Sequence, residues 1–581
     1  RRKYNASAVA FTGGFSPWNR AALQRLAYSF GSVNYGSSWS LERSGAAIAG
    51  GAAAGCMSRP DIHHAGVVVI WGCNQYNKGN TVVDDALTQK RGAKVIAVDP
   101  RTTVSTYRLA DLHLRPRPGT DAALAHGLGR IFIEKGWIDR RYVEQHVQGF
   151  FDYRAYVSDF TPERVEMLTG ISARELEAAA HMIMRSGPMS MLISEEAFSQ
   201  MRSGVQTLRA IEALCAITGN YDVRGGMLPH AQPSVEERVL HEFVAAVQCN
   251  VPHESTGSRR YPLFAHFSRQ CQLSDLNRQI RQGSPYPIRA LCSFGLNING
   301  YPNNKSWTTA LESLDFFVDT DLFLTPTAKY ADIVLPACSS FEREMLHTTP
   351  EQRIYYTPPV IAPLGQSRAD LDIICALARR LAPEDTLLCS GAAALYDYWL
   401  SQMDLSLDIL RHADEPIQLA QEPYRPGSYT SAGYRTPSGR YELRSGLMLQ
   451  MGYSALPEYE PPRSDAEIRE FPFVLSVGNR QTFGFHSRTH RIGWIRAMQP
   501  APAVEIHPED ALLLGITDGD RVEIRTALGS VTMLAQLTRS IQRGMVSVLP
   551  DYEEADICSI LPDDCVDPCS GVPAFRMMSC S

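Results

Sequence analysis

Two short apolar runs in this chain each end in Gly-x-Asn, and each is followed by a second apolar run that ends in aspartate. The first pair is Val67-Val68-Val69-Ile70-Trp71-Gly72-Cys73-Asn74 and Lys94-Val95-Ile96-Ala97-Val98-Asp99. The second is Ile288-Arg289-Ala290-Leu291-Cys292-Ser293-Phe294-Gly295-Leu296-Asn297 and Phe316-Phe317-Val318-Asp319-Thr320-Asp321. Gly72 to Asp99 spans 27 residues, and Gly295 to Asp319 spans 24. That interval holds a tight turn, a helix and a second buried strand, which is the pattern of a nucleotide-binding βαβ unit. Two such units imply two nucleotide-like groups, or one large cofactor held by two halves.

A chain of 581 residues exceeds what one core organises, so roughly three or four domains are expected. Its 44% hydrophobic and 20% charged content is that of a globular protein. A net charge of -6 gives no electrostatic pull toward nucleic acid or an anionic membrane, which points to a small-molecule partner. No apolar run reaches the ~18 residues of a membrane span. Residues 46–57 are Gly/Ala-rich and read as a helix packed close to another backbone. The 13 cysteines form no CxxC pair and read as reduced, buried thiols. That usage favours the cytoplasm. The chain opens on Arg1-Arg2-Lys3-Tyr4 without a methionine, so export stays open.

Along the chain, Ala8-Val9-Ala10-Phe11, a glycine turn and an amphipathic stretch over 19–30 predict strand, turn and helix. Arg117-Pro118-Gly119-Thr120-Asp121 precedes an Ala/Leu helix that Thr120 or Asp121 caps, and its N-terminus suits an anion or a guanine edge. Residues 228–285 look irregular and polar, a surface excursion. A third strand is expected at Ala331-Asp332-Ile333-Val334-Leu335-Pro336. Residues 411–465, rich in Pro, Tyr, Ser and Gly, read as a linker. Beyond Phe471 five short strands with turns predict a small all-β barrel.

These residues resemble the molybdenum or tungsten bis-pterin oxidoreductases, the family of dimethyl sulfoxide reductase and formate dehydrogenase. Val95-Ile96-Ala97-Val98-Asp99-Pro100-Arg101-Thr102 and Arg117-Pro118-Gly119-Thr120-Asp121 resemble its first guanine pocket. Thr325-Pro326-Thr327-Ala328-Lys329-Tyr330 and Thr436-Pro437-Ser438-Gly439-Arg440-Tyr441-Glu442 resemble later blocks. Glu505-Ile506-His507-Pro508-Glu509-Asp510-Ala511 resembles its C-terminal barrel. The resemblance implies an α/β fold: two Rossmann-like α/β domains, one of them discontinuous, plus a C-terminal small β-barrel. The expected bounds are 1–39 and 286–410 for the discontinuous domain, 40–285 for the other, 411–465 for the linker and 466–581 for the barrel.

The cofactor so implied is Mo or W bis(molybdopterin guanine dinucleotide). Asp99 and Asp121, with Gly119 in the same block, would receive one guanine, with Arg101 near its phosphates. Thr320 and Asp321 would receive the second, with Thr327 nearby. The turns Gly72-x-Asn74 and Gly295-x-Asn297 would let pyrophosphate approach the backbone. Gly478, Arg480, His486 and Ser487 resemble the barrel loop over the pterins.

Two departures stand out. The family's N-terminal iron–sulfur domain has no counterpart here, so a cluster is expected on a missing domain or on an electron-transfer partner. The thiols of Cys558, Cys565, Cys569 and Cys580 fit no usual cluster or zinc spacing. In the loop where relatives carry the metal ligand, the chain reads Asn34-Tyr35-Gly36-Ser37-Ser38-Trp39-Ser40-Leu41-Glu42-Arg43-Ser44, without cysteine. Glu42 takes the ligand position, with Ser40 and Ser44 as alternatives. Arg43 follows it where formate dehydrogenases carry histidine, which argues against formate. Glu195, Glu196 and Arg202 occupy the stretch that lines the substrate wall in relatives, where they would handle protons or an anion. The expected chemistry is two-electron redox with oxygen-atom or hydroxyl transfer. A non-redox hydratase or transhydroxylase of the same fold and a non-catalytic structural subunit are the alternatives.

Overall fold

The computed structural model describes residues 3–13, 16–74, 76, 92–229, 234–248, 254–349, 352–419, 424–478, 489–550 and 552–581. The mixed α/β chain divides into two compact units, residues 1–41, 232–260 and 268–423, and residues 42–231, 261–267 and 424–581.

The first unit is built on a five-stranded, all-parallel sheet. Its order is Ile333–Pro336, Phe316–Asp321, Ala290–Phe294, Val9–Gly13, Tyr35–Gly36. From the central pair Val9–Gly13 and Ala290–Phe294 the chain runs outward in opposite directions. The order therefore reverses between Gly13 and Gly295, and a crevice opens at the strand C-termini. Helix Pro17–Phe30 starts on its proline and stops at Gly31, whose φ of 98° a side chain would resist. It buries Trp18, Leu23 and Leu26 against a core that includes Phe243 and Trp399. Arg25 crosses that core to fork onto Asp385 at 2.8 and 3.0 Å.

Residues 228–285, expected as an irregular excursion, instead carry helices Val235–Gln248, Pro262–Phe267 and Leu273–Gln282. The polar composition hides their spacing. Val239, Leu240, Phe243 and Val244 recur at helical intervals and are buried, while His241 and Glu242 between them are exposed. Residues 232–260 and 268–285 cluster with the first unit, not with the 40–231 stretch they follow in sequence.

The second unit holds a four-stranded parallel sheet, ordered Leu112–Leu114, Lys94–Val98, Val67–Trp71, Met189–Ile193. Every residue of Val67–Trp71 is buried, which is why the run shows no polar alternation. Here too the order reverses, between the ends of Val67–Trp71 and Met189–Ile193. The Gly/Ala stretch forms helix Ser44–Ala54. A Cβ on Gly51 would stand 2.3 Å from the Phe267 ring, so only glycine admits that neighbour.

The expected linker is packed rather than bare. Ile417–Gln418 pairs with Arg353–Thr357 in the first unit. In the second unit Tyr441–Glu442 pairs in parallel with Val147–Gln148, and Tyr429, Tyr434 and Tyr441 are buried. Aromatic burial needs no periodicity, so a periodicity search misses it.

The C-terminal residues form a six-stranded sheet of order Arg521–Thr526, Gly529–Leu537, Ala503–Ile506, Met545–Val548, Phe473–Val477, Met578–Cys580. The last strand was not anticipated. Arg525 and Ser581, beside the two outer strands, exchange backbone hydrogen bonds of 2.9 and 3.0 Å. Among the described residues no helix is long and apolar enough to cross a membrane.

Candidate functional site

In the second unit the residues of the first copy of the repeat converge at the sheet's reversal point. Gly72 leaves strand Val67–Trp71 at φ 62°, and its amide donates to Val98 O at 2.8 Å. Asp99 follows the next strand and is 8% exposed. Asp121 opens helix Asp121–Glu134 and is equally buried. Trp71 Nε1 donates to Asp121 Oδ1 at 2.8 Å, and the Arg101 amide donates to Asp99 Oδ1 at 2.8 Å. Burial pushes Asp99 up to about 6 against the help of the Arg101 amide, and Asp121 up to about 6 against that of Trp71. Two buried acids with free lone pairs suit the adjacent N–H donors of a guanine edge.

Gly119, at φ 82°, precedes them; a Cβ there would meet Met577 Cε at 2.4 Å and Pro462 Cβ at 2.7 Å. Asn74 accepts from Ser105 Oγ at 3.0 Å, which fixes the turn after Gly72. Arg101, expected near phosphates, instead forks onto Glu505 at 2.6 and 3.1 Å. A different cation lies nearby. Arg576 Nε is buried without a hydrogen-bond partner, and the guanidinium lies within range of Asp99 and Glu196. Burial pulls Arg576 down to about 10 against those carboxylates. A Cβ on Gly478, at φ 100°, would come 3.5 Å from Arg576 Nη2. Arg480, His486 and Ser487 lie outside the described residues.

The second copy, in the first unit, is arranged differently. Gly295 turns at φ 73°, donates to Thr320 O at 2.8 Å, and has open space where a Cβ would sit. Asn297 accepts from the Asn299 amide at 3.2 Å, and Thr327 Oγ1 accepts from the Ile298 amide at 3.0 Å. Asp321 is half-buried and accepts from the Leu322 amide at 2.6 Å, so its carboxylate caps the turn. The deeply buried acid is Asp319, which sequence reading passed over. Its Oδ1 accepts from Ser293 Oγ; its Oδ2 and the Thr320 hydroxyl have no partner among the described residues. Burial lifts Asp319 up to about 7 against the Ser293 hydroxyl.

The loop expected from sequence to carry the metal ligand contains the short helix Trp39–Glu42. Glu42 is half-buried at its end, and Ser44 is buried at the start of the next helix. Ser40 is buried, donates to Ser37 O at 2.9 Å and accepts from the Leu273 amide at 3.4 Å. Arg43 pairs with Glu195, with Nε to Oε2 at 2.7 Å. Arg202 is exposed and stands 3.8 Å from Glu467. Among the described residues no three His, Cys, Asp or Glu side chains gather as metal ligands, the C-terminal thiols included.

Trp71, Ser293, Asp319 and Arg576 are the contributors that sequence reading missed. The first three lie inside the quoted runs. Arg576 had no local signal, because its surroundings come from residues distant in sequence.

Both half-sites fit one end of a guanine dinucleotide. The fit rests on buried acids beside left-handed glycine turns, and on the orphaned polar atoms of Asp319, Thr320 and Arg576. Comparison with known proteins points the same way. A molybdopterin oxidoreductase family model matches residues 1–380, and a molybdopterin dinucleotide binding domain model matches residues 473–579. An acetylene hydratase from Syntrophotalea acetylenica is 27% identical over 494 residues, 79% of this chain and 66% of its own length. An F420-dependent formate dehydrogenase alpha subunit from Methanocaldococcus jannaschii is 26% identical, over 89% of this chain and 76% of its own. The solved acetylene hydratase from Pelobacter acetylenicus shares the fold at a TM-score of 0.87 and 24% identity, over 100% of this chain and 86% of its own. The chain thus spans 66% of the length of the hydratase it matches in sequence. It belongs to the molybdopterin oxidoreductase family, whose cofactor is a molybdenum or tungsten bis(pterin guanine dinucleotide).

Proposed function

We propose that this is the catalytic chain of a molybdenum or tungsten enzyme carrying out two-electron redox with oxygen-atom or hydroxyl transfer. The observation that carries the reading is the duplicated half-site, a glycine turn at a sheet's reversal point beside a buried acid. In this reading the two parallel sheets are Rossmann-like mounts and the C-terminal sheet is a small barrel. When bound, the cofactor supplies the electron chemistry, and the protein supplies position, access and electrostatics.

Asp99 and Asp121 accept hydrogen bonds from one guanine. Thr320, Asp321 and above all Asp319 receive the other. Gly72 and Gly295 bring backbone amides to pyrophosphate, as only a turn without a Cβ allows. Asn74, Asn297, Gly119 and Thr327 hold those turns. Arg576 takes the phosphate role expected of Arg101, whose charge Glu505 already answers. For Arg480, His486 and Ser487 the contact with the pterins rests on the resemblance of their sequence alone.

Glu42 is the metal ligand, an oxygen donor suited to a hard, high-valent ion. The hydrogen bonds of Ser40 support that choice over Ser40 itself. Arg43 and Glu195 pair beside it, so Glu195 stands ready to take or give a proton, and Arg202 draws an anionic substrate. An iron–sulfur electron-transfer chain is the partner.

Elemental analysis for Mo, W and Fe, with acid release of guanine nucleotide, tests the reading. About one Mo or W and two guanine nucleotides per chain is the expected result. Protein from a host able to make the cofactor that holds neither would overturn it. Guanine nucleotide without metal would instead mark a structural subunit.

A hydratase or transhydroxylase is the second reading. It is favoured by the absence of cysteine from the loop at 34–44 and by the likeness to acetylene hydratase. Turnover without any electron acceptor would select it.

A further inference from the structure

Glu195 also lines a partly open cavity of about 50 Å³ in the second unit. Its apolar wall includes Met57, Met191 and Met227, and the polar part is Ser58, Glu195 and Glu212. Glu212 sits in helix Gly204–Ile217 and is half-buried, with its Oε2 shielded from solvent. Its Oε1 accepts from Ser58 Oγ at 3.1 Å, while its Oε2 is buried without a hydrogen-bond partner. A carboxyl oxygen left in that condition is costly unless it carries a proton or meets water. The cavity has room for a few waters, at roughly 10–15 Å³ each, and offers them two carboxyl groups and a hydroxyl as partners.

We propose that Glu212 is a proton reservoir for Glu195, joined to it through water held in this cavity. The inference rests on the catalytic reading of Glu195 given above. The O–H bond at Glu212 Oε2 breaks as a bond to a cavity water forms. That water releases a proton to the Glu195 carboxylate, Glu212 is left ionised, and no electron moves. The reverse sequence refills the reservoir. Burial lifts Glu212 up to about 7, against the Ser58 hydroxyl and with the Glu195 charge adding to the rise. The other titratable groups facing it are Cys215, Tyr221 and Tyr441; burial holds each neutral, so none competes for the proton. Arg43 holds the Glu195 carboxylate, Nε to Oε2 at 2.7 Å.

Infrared spectroscopy of the cofactor-free protein reads the acid directly. At about pH 6 Asp99, Asp121 and Asp319 also carry protons, so the reading is a difference. The wild-type spectrum minus that of Glu212→Gln should hold one protonated carboxylic acid band, and wild type minus Glu212→Asp should show no net loss of one. In the metal-loaded enzyme the wild-type rate falls as pH rises through about 7. Glu212→Gln loses that limb and at least about tenfold of the rate, while Glu212→Asp restores both. No carboxylic acid band in the difference between wild type and Glu212→Gln at about pH 6 overturns the proposal. So do superimposable pH profiles of wild type and Glu212→Gln. Should the protein hold no metal, the catalytic reading fails on the elemental analysis, and the infrared result still judges Glu212.

Discussion

Asp99 and Asp319 close equivalent runs in two parallel sheets, yet the acids of one half-site are held by donors from the protein while the acid of the other is held on one oxygen alone. Around Gly72, Asp99 has the Arg101 amide and Asp121 has the Trp71 indole as donors. Around Gly295, the Ser293 hydroxyl reaches only one oxygen of Asp319, and Thr320 Oγ1 is orphaned beside it. The first arrangement is set before a ligand arrives. The second leaves buried polar atoms whose partners a ligand must supply, so its cost falls on the ligand-free protein.

The largest effect tests whether the halves act separately. Replacing Asp99 and Asp121 together by alanine removes charged acceptors worth about 1.5–3 kcal/mol each, so one guanine should bind at least about a hundredfold more weakly. Nucleotide release should fall toward one per chain; unchanged release would dismiss the pocket.

Next comes stability without ligand. Asp121→Ala strands the Trp71 indole and should cost about 1–3 kcal/mol in thermal unfolding. Asp319→Asn should do the opposite above about pH 7, gaining on the order of 1 kcal/mol. The sign follows from a folded-state acid lifted to about 7, well above its unfolded value. Its stabilising contribution is whole below about pH 4 and is lost as pH rises through about 7. The stability of wild type relative to Asp319→Asn should therefore decline across that window, and a flat difference would refute the buried-acid account.

The two arginines give a smaller contrast. Arg576→Ala should weaken cofactor retention by about tenfold, the value of one charge-assisted contact, whereas Arg101→Ala should change it less, because Glu505 holds that guanidinium. Equal losses in retained nucleotide would reverse the assignment. Smallest is the glycine pair. Gly295→Ala meets no atom within 4 Å and should cost about 1 kcal/mol for its left-handed backbone. Gly72→Ala must also move the Phe198 ring, 3.1 Å away, and should cost more.

Much of this was legible in the chain because fully buried parallel strands read as unbroken apolar runs, and a glycine at positive φ marks where each stops. What escaped was long-range or lateral. Strand parity cannot make the Asp319–Asp321 choice, because residues two apart share a face; Asp321 differs in ending the strand, where its carboxylate caps the turn. Arg101 was legible as a cation, but its partner lies 404 residues away in sequence. The helix Val235–Gln248 was hidden by its charges, and the buried tyrosines of 424–465 by their lack of period.

The central pair of the five-stranded sheet also sets a timetable. Val9 pairs with Ala290, so the earlier strand stays without this neighbour while some 280 residues are synthesised. At about 5–20 residues per second that wait lasts from about a quarter of a minute to about a minute. Over that time a sticky N-terminal segment depends on chaperones or on transient contacts. The crevice between Gly13 and Gly295 takes shape only once both strands have emerged from the ribosome, which makes cofactor loading a late step in the life of the nascent chain.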